Sequence, residues 1–107
     1  MWTQPGTERE LAAVPMPLTP ADGAVVPAGP IRLVTRNTRL AKVQYVFQLV
    51  APGSQRFHSD PIAAGDAQTA WTPPMQLRSG ETYTWLVWVT DGTWRGQAAS
   101  VQFRAGQ

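Results

Sequence analysis

A chain of 107 residues has material for one hydrophobic core and not for two. Its 43% hydrophobic content argues against wholesale disorder, and the absence of cysteine excludes disulfides, thiolate metal sites and a cysteine nucleophile. The formal charge of +2 and the pI near 9.7 come almost wholly from arginine, Lys42 being the single lysine, and no apolar run approaches the ~20 residues that cross a bilayer as a helix.

Residues 1 to 14 are polar, carry Pro5 and Gly6, and keep no sustained period, so they read as a flexible tail or linker with Trp2 set in it. They hold no basic leader followed by an apolar core, which leaves a cytoplasmic start or a module of a longer chain. The domain itself is expected over residues 15–107. Pro15, Pro17 and Pro20 lack the amide donors of a central strand, so that stretch, if it forms a strand, is an edge strand. Asp22-Gly23 signals a turn before Val25-Val26. Ile31, Leu33 and Thr35 then alternate with Arg32, Val34 and Arg36.

The longest alternating run is 43–50, with Val43, Tyr45, Phe47 and Leu49 on one face and Gln44, Val46 and Gln48 on the other. Pro52-Gly53-Ser54 makes a turn, residues 56–59 a short strand, residues 60–67 a loop, and residues 68–72 a brief strand ended by Pro73-Pro74. The second long run, 81–90, sets Tyr83, Trp85, Val87 and Val89 against Thr82, Thr84, Leu86 and Trp88. Asp91-Gly92 opens a hairpin loop, and residues 99–104 close the domain with Val101 and Phe103 inward. About seven short strands at this spacing, with no helix-period segment to compete, predict an all-β, two-sheet antiparallel sandwich of immunoglobulin-like type.

Leu77, Gly80 and Tyr83 stand in the spacing Leu-x-x-Gly-x-x-Tyr immediately before the second alternating run. Together with Pro20-Ala21-Asp22-Gly23, the Tyr45 run, Trp71-Thr72-Pro73-Pro74, Asp91-Gly92 and Val101-Gln102-Phe103, this resembles a fibronectin type III domain over residues 15 to 105. The resemblance implies that Gly80 permits the bend while the Tyr83 hydroxyl bonds back to the corner backbone. It departs from the family at Thr35, which stands where a second-strand tryptophan is usual. Trp71 or Trp85 is expected to fill that part of the core instead.

Chemistry is hard to find. His58 is the single histidine, and a triad built on it would need Ser54 or Ser59 with Asp60 or Asp66, none of them on a strained elbow. The acids are too scattered for a structural zinc or an EF-hand loop, and Asp22 and Asp91 precede glycine as turn formers do. The nearest approach to a basic stripe is Arg32, Arg36, Arg39 and Lys42, which reads as a solvated face. The expectation is therefore no enzyme, cofactor, metal or nucleic-acid partner, and no insertion into a membrane.

The five tryptophans are more informative. Trp85 shares the inward face with Tyr83. Trp88 has the opposite parity and should point outward, Trp94 lies in the last hairpin loop, and Trp88, Trp94 and Arg95 are the candidate binding residues, with Val46 and Leu86 as outward apolar neighbours. An alternative for Trp94 is to fold back over the end of the sandwich. The resemblance implies a spacer or protein-binding module of a larger bacterial surface or secreted protein, hence extracytoplasmic, whose partner is a protein or a neighbouring domain. Two alternatives are a carbohydrate-binding module that stacks polysaccharide on Trp88 and Trp94, and a stand-alone sandwich that associates with itself through edge strands.

Overall fold

The computed structural model describes residues 14–40 and 42–106. The expected tail, apart from Val14, and Trp2 with it lie outside the described residues. In chain order the strands are β1 (Met16–Thr19), β2 (Val25–Pro27), β3 (Leu33–Arg36), β4 (Gln44–Ala51), β5 (Gln55–His58), β6 (Ile62–Ala63), β7 (Gln68–Trp71), β8 (Thr82–Thr90) and β9 (Ala99–Gly106), with a single 3-10 turn at Pro52–Ser54. They form two sheets, a small one in the order β1-β3-β7 and a larger one in the order β2-β9-β8-β4-β5, with β6 added alongside β4. The class is all-β, a two-sheet sandwich.

Two expectations need correction. The described residues hold nine strands rather than about seven. The extra ones are short: β6 appears inside the segment expected to be loop, where Tyr45 and Gln44 of β4 pair with Ile62 and Ala63. The sandwich is also not antiparallel throughout, because β2 runs parallel to β9, with Val25, Val26 and Pro27 opposite Arg104, Ala105 and Gly106. Two- and three-residue strands carry no readable period, which is why spacing alone cannot place them.

Alternation builds the core. On β4, Tyr45, Phe47 and Leu49 are fully buried, and on β8 so are Trp85, Val87 and Val89, with Tyr83 nearly so. The register sets Tyr45 opposite Val89, Phe47 opposite Val87 and Leu49 opposite Trp85, so the two long strands press one apolar face into the interior. Val101, Phe103 and Ala105 extend that face onto β9, and Leu33 and Thr35 of β3 meet it from the small sheet. Phe47 stacks on Trp85 with centroids 6.1 Å apart and tilts against Trp71 of β7 at 6.2 Å. Trp85 is thus fully buried and Trp71, opposite Leu33, packs half-buried against the core, while the small Thr35 is itself buried and its hydroxyl donates to the Met16 carbonyl at 3.0 Å.

Polar groups that enter the interior are paired. Trp85 Nε1–H donates to the Pro20 carbonyl at 3.0 Å, tying β8 to the chain just after β1. Tyr83 Oη accepts the Arg78 amide at 2.8 Å, closing the corner that leads into β8, and Gly80 takes φ +85 in that bend. Tyr45 Oη accepts the Thr38 amide at 2.7 Å at the other end of the sandwich. Among the described residues no buried side-chain nitrogen or oxygen lacks a hydrogen-bond partner.

The connection before β7 is held by a small network. Thr69 Oγ1 donates to Asn37 Oδ1 at 2.6 Å and accepts the Gly65 amide at 3.1 Å, while Asn37 Nδ2 donates to the Gly65 carbonyl at 2.8 Å. A Cβ on Gly65 would sit 2.1 Å from the Gln68 carbonyl oxygen, so no larger residue fits without moving backbone. Gly65→Ala is expected to lower stability by about 1–3 kcal/mol, read as a fall in the urea midpoint. Trp85→Phe, which opens a void and strands the Pro20 carbonyl, should lower it by about 2–3 kcal/mol with an unchanged urea slope.

Candidate functional site

The outer face of the larger sheet is built by the residues that alternate with the core. One row across it runs Gln102 of β9, Thr84 of β8, Val50 of β4 and Arg56 of β5; the next runs Ser100, Leu86, Gln48 and His58. Beyond these, Trp88 stands opposite Val46, and Thr90 stands between Gln44 and Arg95, while at the other end Thr82 faces Arg104. Arg56, His58, Arg95 and Arg104 are exposed; Leu86 and Trp88 are half-buried. Val46 faces outward as expected but is only 8% exposed, so it belongs to the floor of this face and not to its contact surface.

Arg95 lies over Trp88. It bridges to Thr90, the residue two along from Trp88 on the same side of β8, and its guanidinium carbon lies 3.8 Å from the centroid of the Trp88 ring. A cation over an indole is attracted by the ring's negative face, and the planar guanidinium covers it well.

The hairpin that delivers Arg95 is fixed by its first residue. Asp91 Oδ1 accepts from the Thr93 amide, the Thr93 hydroxyl and the Trp94 amide at 3.0, 3.1 and 2.8 Å. Thr90 Oγ1 donates to the Trp94 carbonyl at 2.8 Å, and the Gly96 amide donates to the Val89 carbonyl at 2.8 Å.

The three candidate residues do not form one exposed platform. Trp94 is half-buried and packs against the core cluster, the fold-back alternative, whereas Trp88 lies on the sheet face under Arg95. Sequence parity places Trp88 outward but carries no signal that a loop arginine seven residues on would cover it. That depends on how the hairpin folds back.

The remaining chemical candidates separate. His58 is exposed on β5 opposite Gln48, and Ser59 is buried with its hydroxyl accepting the Phe47 amide at 3.0 Å. Asp22 Oδ1 accepts the Gln102 amide at 3.0 Å, which docks the Asp22-Gly23 turn on β9. Among the described residues no three of His, Cys, Asp and Glu come together as a metal site, and no helix is long and apolar enough to cross a membrane.

A groove of about 390 Å3 lies at the corner end, floored by Phe57, Met75 and Tyr83 and rimmed by Arg78 and Glu81. Arg32 is exposed just before β3, Arg36 is exposed at its end, and Arg39 and Lys42 are exposed in the connection that follows. No family model, curated protein or solved structure matches this chain.

The stacking predicts its own test. Arg95→Ala should uncover the Trp88 ring and increase quenching of tryptophan emission by acrylamide, at a loss of about 0.5–1 kcal/mol in stability. Unchanged quenching would mean that the guanidinium does not cover the indole in solution.

Proposed function

We propose that this chain is a non-catalytic, fibronectin type III-like module that serves as a spacer or protein-binding domain of a larger surface or secreted protein. The observation that carries the reading is the corner before β8, where Leu77 is buried, Gly80 turns at positive φ and the Tyr83 hydroxyl accepts the Arg78 amide. That geometry is the one the Leu-x-x-Gly-x-x-Tyr resemblance implies. The division of strands between a three-stranded and a larger sheet supports the same reading.

The mechanism is rigid presentation. Paired backbones and a fully packed interior hold the outer face of the larger sheet in one shape, so a partner meets preorganised side chains and little ordering entropy is lost there. The start of β1, opposite the end of β3, and the end of β9, beside the corner, lie at opposite poles of the sandwich. Such a layout suits a unit strung in series. Sugar stacking is the weaker reading, because Trp94 packs on the core and a sugar ring would have to displace Arg95 from Trp88.

The mass and terminal peptides of the native product in its source cells test the first part: a product much larger than 11.7 kDa is expected. A product of that size alone would remove the larger-protein part of the reading. For the second part, Trp88→Ala and Arg95→Ala are expected to weaken the partner interaction, and a full interaction in both variants would take the site off this face.

A further inference from the structure

The strand positions on the outer face of the larger sheet carry arginine and no carboxylate among the described residues. Arg104 stands on β9 near the corner end, Arg56 on β5 across the sheet, and Arg95 at the opposite end on Trp88. Between them lies a strip of apolar side chains, Val50, Leu86 and the edge of Trp88, set among hydroxyl and amide groups. Asp22, Asp60, Glu81 and Asp91 lie in the connecting segments at the margins of the sheet, and two of these are engaged with backbone amides.

We infer that this face docks an acidic protein surface, whose carboxylates meet Arg56, Arg95 and Arg104 while its apolar side chains cover the strip between them. This rests on the protein-binding reading above and names the partner's chemistry. Arg95 is the contact residue and Trp88 its pedestal. With its carbon over the ring the guanidinium still has N–H groups for a carboxylate, and a guanidinium restrained by the indole loses less freedom when it takes one in a two-point pair.

The three charges alone would also attract a nucleic acid or a sulfated polysaccharide. Two observations favour protein. One face of the Trp88 indole is taken by the Arg95 guanidinium, which a base or a sugar would have to displace in order to stack there. The strip of Val50, Leu86 and Trp88 crosses the middle of the face, and a fully hydrated polyanion cannot use it whereas a mixed acidic and apolar protein surface can.

The test uses the full chain, isotope-labelled, titrated with a peptide of alternating glutamate and leucine carried on a soluble tag. Its counterpart with lysine for glutamate, and dextran sulfate, are the comparison probes. The expected result is saturable, salt-sensitive binding of the glutamate peptide, with shifted amides on β4, β5, β8 and β9. No binding of the lysine peptide and weaker binding of dextran sulfate are also expected.

Arg95→Gln should weaken binding about fivefold, with Arg95→Lys recovering part of it, and Arg56→Gln with Arg104→Gln should weaken it further; the Arg56 and Arg104 variants melt as the parent does, and Arg95→Gln stays folded with a slightly lower melting temperature. No binding of the glutamate peptide overturns the inference. So does binding that maps to Arg32, Arg36, Arg39 and Lys42, or dextran sulfate binding as tightly as the peptide. If a native partner is weakened by Trp88→Ala yet is indifferent to all three arginine changes, the acidic-partner inference fails and the protein-binding reading stands. If no native partner depends on this face at all, both fall.

Discussion

The buried indole of Trp85 is the point on which both sheets bear. It sits in the middle of the longest strand, stacks on Phe47 of the neighbouring strand and gives its N–H to the Pro20 carbonyl. Phe47 in turn meets Trp71 from the small sheet, so one aromatic stack spans the sandwich. An indole can be buried this deeply only if its single donor finds an acceptor, and that acceptor comes from a segment 65 residues earlier in the chain. The position of the turn after β1 and the packing of β8 are therefore one constraint. A core of this kind fixes where every outward side chain on β4 and β8 must point.

The ends of the sandwich are fixed by hydrogen bonds of side chains to backbone. Tyr83 and Tyr45 each reach from a buried ring to an amide in a loop, at opposite poles. Asp22 and Asp91 hold their turns by accepting main-chain amides, and Asn37 with Thr69 holds the connection before β7. These contacts satisfy donors that no strand can reach. Arg95 reaches Trp88 only because the Asp91 turn brings it back over the sheet.

The functional reading follows from which surfaces this scaffold leaves to a partner. Trp94 is packed on the core and Trp88 has a cation over one face, so the aromatic residues that first suggest a sugar platform are already engaged. What the face offers is a guanidinium set over the indole, two further arginines and an apolar strip. Arginine and tryptophan are the residues that most often dominate binding energy at protein interfaces, because they combine area with directed contacts.

The fold class was legible in the sequence because burial on a strand has a period of two, and 43–50 and 81–90 carry it without interruption. The same period placed Trp85 inward and Trp88 outward, and the proline-rich segment at 15–20 read as the edge strand that it is. The corner was legible because its glycine and tyrosine do particular jobs at a fixed spacing. Sequence did not determine the parallel pairing of β2 with β9, the small strand β6, the burial of Val46 or the cation over Trp88. Each depends on residues distant in the chain or on the path of a loop, and local alternation holds no information about what another segment will lay against a face. Only the folded chain, by bringing Thr90 opposite Arg95 and Val46 opposite Trp88, decided what the outer surface presents.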